Sequence, residues 1–337
     1  MKKIIKVCHI GTGRIGFSLE FDKRRKKPST HLGMWTSNRN VNLVGICDKK
    51  KINQNKLRKV IKNVRTYKNF EKMVRIEQPE IVSIATWKDS HFHITNRCID
   101  LGIKVIILEK PLANNLKQAI KLSKKIQKKK VKVIVNHRRR FDKKIIELRK
   151  KIKQGIIGDI MQVSSYYVYG ILTTGTHLID TLRMLLVDVA GEVKEVVGFK
   201  NNDSFFCPKD DLNIDGVVVF KNNLKATIQA LNMKKYDNFD IYIYGTKGKI
   251  LISEIGRSGF LFKVINSPEH EGFEELSNIP KHLFGPKPRD QFGKLAENAV
   301  DCLTQRKTKP LCDDRESLMD MKIISSLIKS SQKKNYP

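Results

Sequence analysis

The sequence predicts an α/β protein with a doubly wound parallel sheet, followed by an α+β part with a mostly antiparallel sheet. Strand-like and helix-like segments alternate over residues 1–140, which is typical of parallel βαβ units. The glycine-rich turn GTGRIG directly follows the first apolar run. After Phe141 the pattern changes to strand-like runs joined by short polar turns, which favours antiparallel hairpins.

The strands predicted for the first part are short apolar runs, as expected of strands buried on both faces. They occupy residues 4–10, 42–48, 64–68, 80–86, 105–108 and 131–137. Helices are predicted between them near residues 52–62, 69–77, 91–102 and 115–129. Because strand and helix alternate throughout, residues 1–138 are predicted to form a dinucleotide-binding domain.

The second part, residues 139–312, is predicted to be an α+β domain for substrate binding and oligomerisation. Its predicted strands lie at 159–169, 193–200, 214–221, 224–232, 238–244 and 249–254, and its helices at 142–154 and 177–186. Residues 255–290 are expected to be loop-rich and to precede helices near 290–305 and 315–332. The last helix, residues 313–333, is expected to pack back on the first domain.

Length and composition allow two domains with sizeable cores, because the chain has 337 residues and 40% of them are hydrophobic. It has no run of about 18 apolar residues, so no membrane span is predicted. The start, MKKIIKVCHIG, lacks the features of a signal peptide. The six cysteines are far apart and form no CxxC pair, so neither a metal site nor a disulfide framework is implied. A cytoplasmic protein is expected.

The formal net charge of +32 suggests a nucleic-acid partner. The excess is nevertheless spread along the chain, and no recognised nucleic-acid motif accompanies it. Lys, Ile and Asn are abundant together, as an AT-rich genome would produce. We therefore predict no specific nucleic-acid site, although a positive surface would still attract anionic small molecules such as nucleotide sugars.

The turn at residues 11–16 has the full GxGxxG spacing directly after a strand. The first glycine permits a tight turn, the second lets the backbone approach a pyrophosphate, and the third lets helix pack on strand. The N–H groups of the following helix would face the phosphates. This context favours a Rossmann dinucleotide site over a glycine turn without a ligand.

Asp48 ends the second strand, where an acid accepts hydrogen bonds from the adenosine ribose and repels a 2′-phosphate. NAD is therefore the predicted cofactor, and NADP is the alternative because Lys49 or Lys50 could hold a 2′-phosphate. Asp48 could also be a turn-forming aspartate without a ligand. It lies 32 residues past Gly16 (48 − 16), against a usual spacing of about 20, so residues 18–35 are expected to bulge as an insertion.

The strand at 105–108 runs directly into Glu109-Lys110-Pro111. This proline could simply end the strand beside a solvated lysine, or the three residues could mark the ligand-binding edge of the sheet. With the glycine turn and the segments PEIVSIAT, VNHRRRFD, GTHLID, IYGTKGKILI and PLCDDRESL, the chain resembles the Gfo/Idh/MocA oxidoreductases. These include glucose-fructose oxidoreductase and inositol 2-dehydrogenase, and the resemblance covers nearly the whole chain.

The resemblance implies roles for particular residues. In the family, the EKP lysine and a histidine of a D-x-x-x-H-x-x-D pattern flank the substrate, which here are Lys110 and His177. The final acid matches Asp180, whereas Thr173 stands where the first acid is expected. The residues expected to contact the cofactor are Gly11, Gly13, Arg14, Ile15, Gly16, Asp48, Thr86, His91, Glu109 and Lys110. Those expected to bind substrate are Thr173, Asp180, Tyr169 and Arg139.

Local patterns also bear on these candidates. TTGT at 173–176 offers N-cap residues, which would place His177 in the first helical turn, where neutral imidazole is favoured. Asp180 could orient that ring; the alternative is a helix-capping histidine with a surface aspartate. Arg139 could bind a substrate phosphate or carboxylate or belong to a solvated basic turn. Tyr169 is the best pocket candidate in a strand whose other tyrosines are expected to pack in the sheet.

The predicted function is hydride transfer between NAD(P) and a hydroxyl or ketone carbon of a sugar, nucleotide sugar or cyclitol. His177 would take the hydroxyl proton, and Lys110 would stabilise charge on the reacting oxygen. The alternative is a non-catalytic, dinucleotide-binding regulator of the same superfamily. A homodimer or homotetramer through the C-terminal sheet is expected.

Overall fold

The computed structural model describes residues 4–50, 52, 54–61, 63–201, 211–287 and 289–332. The chain forms two compact units. Unit 1 consists of Met1–Asp142 and Pro288–Met321, and unit 2 consists of Lys143–Lys287 and Lys322–Pro337. Over the described ranges, every helix is too short or too polar to cross a membrane.

Unit 1 is built on a six-stranded parallel sheet of order β3-β2-β1-β4-β5-β6. The strands are β1 (Ile5–Ile10), β2 (Val41–Cys47), β3 (Arg65–Tyr67), β4 (Ile81–Ile84), β5 (Val105–Leu108) and β6 (Lys132–Val135). The helices between them are α1 (His31–Thr36), α2 (Gln54–Val60), α3 (Phe70–Glu77), α4 (Lys88–Asp100) and α5 (Leu116–Lys129). The predicted doubly wound sheet is confirmed, and its winding reverses between β1 and β4.

Unit 2 contains a nine-stranded sheet in which β7 and β10 pair in parallel and the other pairs are antiparallel. Its elements are α6 (Lys143–Lys153), β7 (Ile160–Val168), α7 (Thr176–Ala190), β8 (Val193–Lys200), β9 (Ile214–Phe220), β10 (Lys225–Leu231), β11 (Asp240–Gly245), β12 (Gly248–Ser253), β13 (Ser258–Asn266), β14 (Glu274–Leu276) and β15 (Lys281–Phe284). The predicted mostly antiparallel sheet is confirmed.

The expectation of a loop-rich segment at 255–290 is wrong, because β13, β14 and β15 lie within it. The first six residues of β13 pair with β12, which has the regular in–out burial of a half-buried strand. The last residues of β13 and the short β14 are largely exposed. Their sequences therefore lack the apolar alternation by which a strand is recognised.

Two further helices follow, α8 (Gln291–Thr304) and α9 (Asp314–Gln332). α8 belongs to unit 1, where Phe292 and Leu295 share a core cluster with Ile107 of β5. The sequence had placed the helix near 290–305 in the second domain. Its apolar face instead covers one side of the parallel sheet, and α3 to α5 cover the other side.

The start of α9 joins the core of unit 1 through Met321, and its later turns belong to unit 2. In unit 2 the helix backbone at Leu327 lies so close to the sheet that a Cβ at Gly198 would be 2.2 Å from its carbonyl oxygen. The last helix, expected at 313–333 to pack back on the first domain, thus contributes residues to both units.

Candidate dinucleotide and substrate sites

The glycine turn lies at the carboxyl end of β1. Gly11 has φ of +99°, and a Cβ there would lie 2.6 Å from the carbonyl oxygen of Ala85. A Cβ at Gly16 would lie 2.0 Å from the carbonyl oxygen of Gly11. An added Cβ at Gly13 meets no described atom within 4 Å. The first and third glycines therefore close the turn, and the second leaves open space suited to a pyrophosphate.

The helix after this turn is interrupted by an insertion. α1 begins only at His31, whose N–H donates to the carbonyl of Ile15 across 3.1 Å. Residues 17–30 thus form a loop that begins at the glycine turn and ends where α1 contacts that turn. The insertion expected at 18–35 is real but shorter, because its last residues are helical.

Asp48 lies directly after β2 and contacts the glycine turn. Its Oδ2 accepts hydrogen bonds from the N–H and the hydroxyl of Thr12, at 2.6 and 2.7 Å, and its Oδ1 accepts one from the N–H of Lys50. Burial alone would raise the pKa of Asp48, but these hydrogen bonds outweigh it and lower the pKa. The side chain is therefore an ionised acceptor beside the turn. Lys49 and Lys50 are exposed.

Glu109, at the end of β5, is buried with two donors. Its Oε1 accepts hydrogen bonds from His31 Nε2 at 2.9 Å and from Asn136 Nδ2 at 2.6 Å. Burial would raise the pKa of Glu109, but the hydrogen bond and charge of His31, the charge of Lys110 and the Asn136 hydrogen bond lower it to about 2. The carboxylate is therefore ionised, and it fixes the chain one residue before Lys110.

A second buried histidine lies close to this pair. His9 Nε2 is 2.6 Å from the carbonyl of Gly11, so this nitrogen carries the proton, and Nδ1 accepts from the Ser83 hydroxyl at 2.8 Å. The Ser83 oxygen in turn accepts from the indole N–H of Trp35. Burial, followed by the charge of His31, lowers the pKa of His9 to about 3. This neutral histidine supports the glycine turn from inside the core.

His91 connects the loop after β4 to the EKP segment. Its Nδ1 lies 2.8 Å from the carbonyl of Pro111 and its Nε2 lies 3.0 Å from the carbonyl of Thr86. Burial lowers the pKa of His91, and the two carbonyl contacts oppose this effect. Because the side chain has no exposed surface, His91 positions the two loops. Lys110 lies on the second of these loops, directly before Pro111. It is half-buried, and the peptide bond between the two residues is cis.

In unit 2, a turn of π-helix at Ile171–Gly175 precedes α7. Asp211 caps this turn: Oδ2 accepts from the N–H and the hydroxyl of Thr173 at 2.7 and 2.5 Å, and Oδ1 accepts from the N–H of Leu172. Asp211 is 1% exposed. A buried carboxylate from a distant part of the chain therefore contacts Thr173, the residue that stands where the family pattern has an acid.

The predicted N-cap at 173–176 is wrong. The N–H groups of Thr174 and Gly175 donate to the carbonyl of Gly170, and the residue before α7 has helical dihedral angles and makes no side-chain cap. The helical run therefore starts at Ile171, and His177 is not in its first turn, so the dipole argument for a neutral ring loses its basis. His177 is half-buried, and Asp180 is buried one turn later.

Comparison with known proteins relates the first part of the chain to a protein family. Residues 5–137 match the Gfo/Idh/MocA family model, described as an oxidoreductase family with an NAD-binding Rossmann fold. Residues 5–137 are thus similar to the Rossmann domain of this family. The matched segment contains the glycine turn, Asp48, His91 and Lys110.

Two curated relatives are named as oxidoreductases. The chain is 25% identical over 212 residues to the uncharacterized oxidoreductase YhhX of Escherichia coli K12, a match to 58% of this chain and 59% of that protein. It is 31% identical over 115 residues to the uncharacterized oxidoreductase YfiI of Bacillus subtilis 168, covering 33% and 29%. The match thus spans less than two thirds of the length of either relative.

Solved structures share the fold over almost the whole chain. An aldose-aldose oxidoreductase from Caulobacter crescentus superposes with a TM-score of 0.76, 15% identity and 98% coverage of both chains. The WlbA dehydrogenase from Bordetella pertussis, in complex with NADH and UDP-GlcNAcA, gives 0.74 and 16%, covering 98% of this chain and 97% of that one. At these identities the likeness shows the fold alone.

The remaining candidate residues differ in exposure. Arg14 is exposed, whereas Arg139 lies in a 3₁₀ turn after β6 and is 7% exposed, so the alternative of a solvated basic turn is wrong. Tyr169 is half-buried with φ of +63°, an uncommon conformation that often accompanies functional sites.

Sequence reasoning missed His31, Asn136 and Asp211. Asn136 could have been found, because it directly follows β6 at the same edge of the sheet as Glu109. His31 was hidden inside an expected insertion. Asp211 lies 38 residues from Thr173 along the chain, so no local pattern connects the two.

Proposed function

We propose that the protein is an NAD-dependent oxidoreductase acting on a hydroxyl or ketone carbon of a sugar, nucleotide sugar or cyclitol. The observation that carries this proposal is a set of groups that follow three strands of one parallel sheet, at the carboxyl ends of those strands. The glycine turn follows β1, Asp48 follows β2, and Lys110 follows β5. Ligands of doubly wound sheets bind outside the carboxyl ends of the strands, at the reversal of winding.

The residues present fit a dinucleotide. The open space at Gly13 suits a pyrophosphate, and the ionised, acceptor-only Asp48 suits a ribose diol and disfavours a 2′-phosphate. NAD is therefore proposed over NADP. When bound, the nicotinamide ring supplies the hydride chemistry, and the protein supplies binding and orientation.

Two side chains are proposed to handle the reacting hydroxyl. The ammonium group of Lys110 donates a hydrogen bond to its oxygen and stabilises the negative charge that develops there. An imidazole nitrogen of His177 accepts its proton, as a general base. Asp180 on the same helix is a positioning residue for His177 in this proposal, and Asp211 is a positioning residue for the turn before it.

Substitution of Lys110 tests the enzymatic proposal. Purified protein is screened for NADH formation with sugars, cyclitols and nucleotide sugars, and turnover of the best substrate is compared among variants. We expect Lys110→Ala to lower kcat by roughly 10²-fold or more, as on loss of a positioned polar catalytic group, and to leave NAD affinity within about tenfold. Lys104→Ala is the matched control, because Lys104 is exposed just before the opposite end of β5.

Two outcomes would contradict this assignment. Normal turnover by Lys110→Ala on the true substrate would remove Lys110 from the chemistry. If the parent protein binds NAD but turns over no compound of these classes, the non-catalytic regulator is the better account of the site.

Self-association through unit 2 is also proposed. One face of its sheet carries the half-buried aromatic residues Tyr166, Tyr242, Tyr244 and Phe262, with Tyr166 and Tyr242 in edge-to-face contact. A second copy of this chain would cover that aromatic face. Light scattering after size exclusion should give the mass of a dimer or tetramer, and Tyr242→Glu should shift it towards the monomer.

A further inference from the structure

The two tryptophans of the chain have opposite environments. Trp35 is 1% exposed and donates its indole N–H to Ser83, whereas Trp87 is 84% exposed, the highest value among the large apolar side chains that the structure describes. Tryptophan is highly buried on average, because its ring is large and mostly apolar. The high solvent exposure of the Trp87 indole is therefore unusual for its residue type.

Trp87 lies at the reversal of winding of the parallel sheet. It follows Thr86 in the loop after β4, and β4 is the neighbour of β1. The same loop touches the glycine turn, because the N–H of Ala85 donates to the carbonyl of Ile10 and Gly11 lies against the carbonyl of Ala85. The indole thus stands two residues from backbone that contacts the proposed pyrophosphate site.

The backbone that carries Trp87 is anchored on both sides. Its carbonyl accepts from the N–H and the hydroxyl of Ser90 at 3.0 and 2.9 Å, and the ring of His91 lies against the carbonyl of Thr86. Lys88 donates to Asn114 at 2.9 Å, which ties this loop to the one after β5. Because the loop is held in place, the exposed indole ring of Trp87 offers a preformed flat surface to a ligand.

We propose that Trp87 is a cofactor-binding residue that stacks on an aromatic ring of the dinucleotide. The adenine and nicotinamide groups at the two ends of NAD are both flat heterocycles. Such rings stack on the face of tryptophan without requiring particular hydrogen bonds. Strand order gives Asp48 and Trp87 opposite sides of β1, so one dinucleotide lying across the glycine turn would reach both loops. This inference rests on the proposed dinucleotide site.

Fluorescence and calorimetry test the stacking directly, since Trp35 is buried and Trp87 is the tryptophan that a bound ring can contact. NAD is expected to quench the parent protein, and Trp87→Phe should lose most of that quenching while its Kd stays within about threefold. Trp87→Ala should raise the Kd for NAD about tenfold, in the range of single stacking contacts. Tyr236→Ala is the matched control, because Tyr236 is an exposed aromatic residue of unit 2.

The same titrations with ADP-ribose and nicotinamide mononucleotide identify the stacked ring, because quenching is retained only by the fragment that contains it. If the parent protein does not bind NAD in the calorimeter, the proposed function fails together with this inference. If the parent binds NAD and Trp87→Ala binds it equally well, only the role of Trp87 is wrong. A change in molecular mass or in substrate KM alone, with the Kd for NAD unchanged, would also overturn it.

Discussion

Thr173, which stands where the family pattern has an acid, is hydrogen-bonded to the carboxyl group of Asp211. The hydroxyl and N–H of Thr173 both donate to the Asp211 carboxylate, which is almost fully buried. Asp211 also caps the helical run that leads to His177, because it accepts from the N–H groups of Leu172 and Thr173. Losing such an acceptor would leave buried donors without a partner, at a cost of about 1–3 kcal/mol.

Exchanging the two groups tests this arrangement. Thr173→Asp should lower the free energy of unfolding by about 1–3 kcal/mol at neutral pH, because two carboxylates within hydrogen-bonding distance cannot both ionise without cost. Thr173→Asp with Asp211→Asn should recover at least half of that loss, because an amide then faces the new carboxylate. Urea unfolding of both variants, with Asp211→Asn alone as the control, measures this. A fully stable single Thr173→Asp variant would show that the pair does not form.

At the scale of elements, sequence periodicity located the strands of the parallel sheet well, because each is a continuous apolar run buried on both faces. It failed where a long-range contact decides the local structure. The helical run before α7 begins at Ile171 because Asp211 caps it, and TTGT looked like a cap only in isolation. In the same way, α1 resumes at His31 by bonding to the glycine turn across an insertion.

The docking of α9 in unit 2 gives a prediction at the element scale. A Cβ at Gly198 would meet the backbone of Leu327 at 2.2 Å, so the helix would have to move away from β8. We expect Gly198→Ala to lower the free energy of unfolding by about 1–3 kcal/mol, the usual cost of overpacking. Gly285→Ala is the matched control, since a Cβ there meets no described atom within 4 Å. Equal stability of both variants in urea would mean that α9 does not press on this strand.

Over the whole molecule, the fold could be predicted further than the site. Local periodicity and the GxGxxG turn are enough for a parallel sheet and a second, antiparallel one, whereas the buried groups that hold the site come from separate segments. Glu109 is held by the histidine that begins α1 and by the asparagine directly after β6, and neither spacing is fixed by any local rule. The sequence therefore leads to Lys110 as a candidate but not to the residues that hold Glu109 beside it.

Acid should destabilise the folded chain through its buried histidine and carboxylate. The pKa of His9 falls from 6.5 to about 3 on folding, and that of Glu109 falls from 4.5 to about 2. In both cases the unfolded chain binds the proton more tightly. The stabilisation is therefore complete above the unfolded pKa and is lost as pH falls towards the folded one.

Between about pH 6 and pH 4, His9 alone should make the free energy of unfolding fall by up to about 1.4 kcal/mol per pH unit. Urea unfolding at a series of pH values measures this slope. His9→Asn should flatten the slope over that interval even if the variant is less stable at neutral pH, because the titrating group is gone. His93→Asn should leave the slope unchanged, since His93 is an exposed histidine of the same unit. If His9→Asn has the parent's slope, His9 is not held neutral in the folded protein, and its support of the glycine turn through a fixed tautomer is wrong.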